Sequence, residues 1–280
     1  LTGPAISGLL IKWVGIGYCF LINTFSFIPV IIALMLMQIT PKNEASKKHH
    51  FFTHFKEGYQ YAFQTPPIRT LILSMAFLSL LVMPFAFFMP VFSKEVLHGD
   101  AQTLGFLMGS AGAGALVSSI TLANRDKVTG MLPFLLTSCA IYSIVIISLG
   151  FSTQLWTSMG LLFLTGYFGM SQIGGINILL QSILEDDKRG RVMSLYTTAF
   201  LGIFPFGSLV GGALVHQFGV AKTFMICGYA CALLFVWWLF QYASLKKAIH
   251  CIHIKKGIIP DPSTEPYSEE MLETCHLSKN

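Results

Sequence analysis

Apolar residues in this chain come in long blocks separated by short polar connections. A block of about 20 mostly apolar residues is what one helix needs to cross a bilayer. The pattern predicts a partial helix, Leu1–Val14, and seven full spans at 16–39, 68–92, 103–124, 131–151, 155–184, 192–217 and 221–244. The block 155–184 is too long for a straight crossing, so it either tilts or carries its last turn out of the membrane. Segment 40–67 has a different pattern. Phe51, Phe52, Phe55, Tyr59 and Phe63 recur at helical spacing, with His50, His54, Lys56, Glu57 and Gln60 between them. That predicts an amphipathic helix lying on the membrane surface. Pro66 and Pro67 are expected to end it.

Composition removes the alternatives to a membrane protein. The 280 residues are 54% hydrophobic and only 11% charged, where a soluble domain carries about 25% charged residues. A water-soluble fold cannot hide that much apolar surface, and a nucleic-acid binder is excluded on the same ground. The chain is expected to contact a lipid bilayer. The six cysteines form no CxxC pair, so neither a disulfide framework nor a zinc site is indicated. His250-Cys251-x-His253 has metal-ligand residue types but sits in a basic flank, and no metal site is assigned.

Charge then orients the spans. If they alternate in direction, all but three of the 18 basic residues fall on one side, the exceptions being Lys12, Lys94 and Lys222. Lys and Arg concentrate in cytoplasmic loops, so the C-terminus is expected in the cytoplasm and the protein in the plasma (inner) membrane. The chain opens inside an apolar run at Leu1, which predicts a fragment beginning partway along a membrane helix.

A weak repeat supports this. With a shift of 204 residues, 3–22 lies over 207–226, and Gly3, Gly8, Leu10, Gly15, Phe20 and Ile22 meet identical residues. In both copies an apolar helix is expected to end at the glycine, Gly15 or Gly219, in an outer turn. A repeat of this length holds about six spans. Two such halves related by an axis along the membrane normal describe one class of transporter.

Several motifs carry a resemblance. Gly3-Pro4-Ala5-Ile6-Ser7-Gly8 resembles the antiporter motif G-P-x-x-G-G in the fifth helix of major facilitator superfamily exporters, with Ser7 in place of one glycine. Phe55–Leu73, with Glu57-Gly58, Tyr61, Pro67 and Arg69, resembles the linker and seventh-helix start of the enterobactin-exporter-like branch. Arg189–Leu195, followed by Pro205, Gly207 and Gly211-Gly212, resembles that branch's tenth-to-eleventh-helix region. The resemblance implies an all-α polytopic fold. Residues 1–39 would close an N-terminal bundle, 40–67 link the halves, 68–244 form the C-terminal six-helix bundle, and 245–280 make a disordered cytoplasmic tail. It also implies a monomer.

Candidate working residues follow. Gly3, Pro4 and Gly8 would form a kinked, small-residue face associated with export. Polar side chains in hydrocarbon should face protein or water, and the tenth helix lines the cavity in this superfamily. Tyr167, Gln172 and Asn177 are therefore expected to line the substrate cavity. Phe85 and Phe88, in the block matching the seventh helix, would add an aromatic wall, although each phenylalanine alone equally suits lipid. Asp186, Asp187, Arg189 and Arg191 are candidates for a gate at the cytoplasmic mouth. Asn124-Arg125-Asp126-Lys127 is a degenerate form of the superfamily's loop between helices eight and nine, and carries no gate assignment. No span from 68–92 onward holds an Asp, Glu or Lys near its centre. No cofactor is implied beyond a proton gradient, and any coupling carboxylate would lie elsewhere. The resulting expectation is not an enzyme but an exporter of small amphiphilic molecules, a drug or siderophore, working by alternating access. An uptake carrier of the same fold and a stand-alone seven-span receptor remain open.

Overall fold

A computed structural model describes residues 2–37, 51–81, 85–125 and 130–256, and these residues contain helices and turns without strands. The helices in chain order are α1 (Thr2–Leu36), α2 (Phe51–Gln64), α3 (Pro66–Leu81), α4 (Phe85–Glu95), α5 (Ala101–Ala123), α6 (Met131–Leu149) and α7 (Leu155–Ile183). They are followed by α8 (Asp186–Thr197), a π-helical turn (Thr198–Gly202), α9 (Phe204–Phe218) and α10 (Val220–Lys255). The fold is all-α.

Exposure shows which solvent this fold suits. Phe240 is 84% exposed and Trp156 80%, and the largely apolar stretch Leu21–Leu36 of α1 is exposed throughout. Hydrocarbon around the bundle removes the penalty that water would impose on this surface. Four stretches of the described residues are both long and apolar enough to cross a membrane: Ala101–Ala123, Met131–Leu149, Asp186–Phe218 and Val220–Ile254. At 29 residues α7 is also long enough, but its glycines and its Ser, Thr, Gln and Asn residues dilute its hydropathy.

The core lies where α3, α6, α7 and α10 meet. Leu71, Met75, Leu135, Tyr142, Leu162, Ile176 and Phe224 are all buried there. Two hydrogen bonds run along the α3–α10 seam. Thr70 Oγ1 donates to Gln241 Oε1 at 3.0 Å, and one turn on Trp238 Nε1 donates to Ser74 Oγ at 2.6 Å. An unpaired polar group in the bilayer costs several kcal/mol, so these pairs fix the antiparallel register of the two helices.

The structure differs from the apolar blocks at four places. First, α1 runs unbroken through Gly15, where a turn is expected. A glycine inside a helix costs only about 1 kcal/mol against alanine, and a reversal also needs a helix to fold back on. Gly219 meets that condition: it has φ +80° and joins α9 to α10, which pack together. Second, helix begins before block 68–92, at Pro66 of α3, and runs past it, to Glu95 of α4; Pro84 lies in 82–84, outside the described residues.

Third, block 192–217 is broken by the π turn. Pro205 has no N–H to offer the carbonyl of Leu201 and its ring crowds that carbonyl. The extra residue of a π turn absorbs the mismatch, and Ser79 Oγ donates to Phe200 O at 2.5 Å. Fourth, α10 does not stop near 244. It continues to Lys255, with Leu245, Ile249 and His253 buried along one face. Residues 245–255 are therefore packed helix rather than disordered tail. At 36 residues α10 is about 54 Å long, well beyond a bilayer core of about 30 Å. Part of the helix therefore lies beyond the bilayer core.

Candidate functional site

Two arrangements in this bundle bear on function: a tight seam in its interior and a polar collar at one end. The seam joins α5 and α7. A Cβ added at Gly114 would sit 1.8 Å from the carbonyl oxygen of Phe163, and one added at Gly166 would sit 1.9 Å from that of Ala111. The two backbones therefore touch, which only glycine permits. Close approach through small residues is how helices associate where lipid removes the hydrophobic drive between them. Ser118 Oγ and Ser171 Oγ, 2.8 Å apart, close the same seam. The glycines of α7 do not break it; Gly166 and Gly174 let α5 in, while Gly169 and Gly175 face α6.

The residues expected to line a cavity are placed as follows. Gln172 is 1% exposed, and its Nε2 donates to Leu135 O of α6 at 2.8 Å. It ties α6 to α7 and does not reach an open surface. Tyr167 is half-buried, edge-on to Phe168 with ring centres 5.0 Å apart. Asn177 is half-buried, and its Oδ1 accepts from Gln181 Nε2 at 2.6 Å. Phe88 is buried against α9, where a Cβ at Gly211 would meet its ring at 2.6 Å. Phe85 is partly buried on the core. Gln172 and Phe88 hold helices together, while Tyr167 and Asn177 keep some exposure on α7. Gly3, Pro4 and Gly8 fall in the first turns of α1, and their surroundings lie outside the described residues.

The collar is built from α2, the α7–α8 corner and the end of α10. Gly58 brings α2 against α8: a Cβ there would lie 2.9 Å from Cβ of Arg191. Lys188 Nζ pairs with Glu185 Oε2 at 2.5 Å and sits 4.4 Å from the centre of the Tyr61 ring. The hydrogen bond to Glu185 raises the pKa of Lys188. Burial, then the charge of Glu185, raises that of Tyr61. Asp186 and Asp187 occupy the first turn of α8, where the helix dipole favours negative charge. Arg189 lies 3.7 Å from Asp186 and donates to Gln181 O at 3.3 Å. Arg191 thus lies against α2 and Arg189 against α7, with Asp186 and Asp187 beside them in the first turn of α8.

The end of α10 completes it. Lys256 Nζ donates to Ser182 O at 3.0 Å and to Leu184 O. A cation on the last carbonyls of a helix complements both the unpaired oxygens and the dipole. His253 is 2% exposed with Nε2 3.0 Å from Ser182 Oγ. Burial, then Lys256 and His250, lowers its pKa.

Tyr61, Lys188, Ser182, His253 and Lys256 are the collar residues absent from the sequence candidates. One signal does point to His253. Leu245, Ile249 and His253 repeat at intervals of four, and such a stripe marks a helix with a buried face.

Comparison with known proteins accords with this architecture. The family model described as transmembrane secretion effector, of the major facilitator transporters, matches residues 1–265. The chain is 25% identical over 238 residues to an uncharacterised major facilitator-type transporter, YfiS, of Bacillus subtilis (strain 168). That alignment covers 81% of this chain and 57% of the relative. It is 25% identical over 239 residues to the staphyloferrin A transporter of Staphylococcus aureus (strain NCTC 8325 / PS 47), covering 81% and 56%. A second Bacillus subtilis transporter of this type, YfmI, is 22% identical over 238 residues, covering 81% and 57%. The chain therefore spans little more than half the length of the curated relatives it matches. No solved structure matches it. The relatives are transporters rather than enzymes, and the chain is a multi-pass membrane protein that belongs to the transmembrane secretion effector family of the major facilitator superfamily.

Proposed function

We propose that this chain is the C-terminal portion, including the whole C-terminal bundle, of an exporter that moves small amphiphilic molecules, drugs or siderophores, out of the cell in exchange for protons. The collar faces the cytoplasm, and the working unit is a monomer in the inner membrane. The observation that carries this is the contrast between seam and collar. The bundle interior is fastened backbone to backbone at Gly114 and Gly166. The collar is fastened by charged and polar side chains at the rim, among them Lys188, Glu185 and Arg189. Exposed ion pairs of that kind contribute about 0–1 kcal/mol each. A rigid bundle with a rim of weak polar contacts suits two bodies that rock about a midplane site. One relative is named a staphyloferrin A transporter, which supports a siderophore among the substrates. Tyr167 and Asn177 remain the positions on α7 for substrate contact.

The test is accumulation. Cells producing the complete protein should retain less of an amphiphilic dye or a siderophore than cells lacking it, and an uncoupler should remove the difference. Equal accumulation across such a panel would defeat the export reading. A difference that survives the uncoupler would defeat proton coupling.

A further inference from the structure

The final turns of α10 carry two groups that the transport reading does not use, and both grip the same helix end. Lys256 holds the carbonyls of Ser182 and Leu184, the penultimate residue of α7 and its cap. His253, one turn earlier, meets the hydroxyl of Ser182. Ser182 Oγ donates its own proton to Leu179 O at 2.7 Å. It must therefore accept from His253, which assigns the proton of a neutral imidazole to Nε2.

We infer that His253 is a proton-responsive positioning residue: neutral, it keeps α10 fastened to the end of α7, and protonated, it releases that end together with the Glu185–Arg191 corner. The hydrogen bond to Ser182 survives protonation, because Nε2 keeps its hydrogen. The burial does not. The added charge on the ring would lie almost completely out of solvent, with Lys256 and His250 as the charges acting on it from its own helix. From α7 it meets the hydroxyl of Ser182, and among the described residues no carboxylate acts on it. The positive charge of Lys256, itself exposed, adds to the cost of a cation on the buried ring. Either Lys256 leaves the α7 carbonyls or the end of α10 swings outward. Both movements uncap α7 one residue before the collar acids begin.

The sign follows from linkage. A histidine whose folded pKa is depressed contributes stability above its unfolded value near 6.5, and that stability is lost as pH falls toward the folded value. The fastening is complete at neutral pH and fails on acidification. Its significance for gating rests on the proposed transport; the fastening itself does not.

The experiment is amide hydrogen exchange on the full chain in nanodiscs at about pH 7.5 and about pH 5.5. Exchange in 178–190 is normalised to that in 207–218 to remove the intrinsic pH dependence. The chain should lose protection in 178–190 at the lower pH, up to about tenfold for each unit of pKa depression. His253→Gln keeps an N–H for Ser182 without a titrating group, and should hold protection at both values. Lys256→Gln removes the repelling charge and should shrink the response. No loss in the unmodified chain, or an equal loss in His253→Gln, would overturn the inference. These readings need no transport. A protein that fails to export therefore refutes the function proposed above without touching this result, and the reverse also holds.

Discussion

Gly166→Ala is the sharpest perturbation of the bundle. The new Cβ would lie 1.9 Å from the carbonyl oxygen of Ala111, where ordinary contact begins near 3.4 Å. The obstacle is backbone, so no side chain can rotate away. Helix α5 must retreat by about 1.5 Å along that line, and a gap of 0.5–1 Å already forfeits a quarter to a half of each dispersion contact. The Ser118–Ser171 bond, 2.8 Å long, passes out of range, and such a bond is worth about 0.6 kcal/mol between membrane helices. Overpacking itself costs about 1–3 kcal/mol. Helix propensity returns about 1 kcal/mol. The net expectation is a loss of about 2 kcal/mol, a fall in Tm of about 4–8 °C. Gly160→Ala, on the same helix with nothing within 4 Å of the new Cβ, takes only the propensity gain and should match or slightly exceed the parent. Thermal unfolding in detergent, followed by circular dichroism, compares the two. Equal midpoints for both variants would refute the seam.

Further outcomes are expected elsewhere. Ser74→Ala leaves the buried Trp238 Nε1 without its acceptor and should cost about 1–3 kcal/mol in the same unfolding assay. Gly219→Ala places a side chain at φ +80°, and should cost about 1–3 kcal/mol although no atom obstructs the Cβ. Lys188→Met removes the contacts to Glu185 and Tyr61. It should speed amide exchange across 58–64 while moving Tm by no more than about 2–4 °C.

The sequence shows the helices more readily than their partnerships. Hydropathy marks 131–151 and 155–184 because a membrane-crossing helix must be long and apolar, and α6 and α7 lie within those blocks. Proline chemistry likewise explains why α2 stops at Gln64 and α3 opens at Pro66. The same apolarity hides internal breaks. The π turn at 198–202 sits inside an unbroken apolar run, and only Pro205, four residues beyond Leu201, hints at it. Partner choice is less visible still. Gln172 reads as a polar residue in search of water, yet its partner is a backbone carbonyl on α6, which no side-chain pattern advertises. Nothing in the sequence marks Gly114 and Gly166 as the places where two backbones meet. The collar acids and bases are legible as a mixed-charge run at 185–191. Their tie to α10 is not, because Lys256 binds carbonyls far away in sequence.

Directional transport by the complete protein tests the central claim most directly. Inverted membrane vesicles with an acidic lumen should accumulate an amphiphilic dye or a siderophore, and dissipating the pH gradient should release it. Accumulation that appears only with an alkaline lumen, or none for any substrate of the panel, would contradict a proton-coupled exporter.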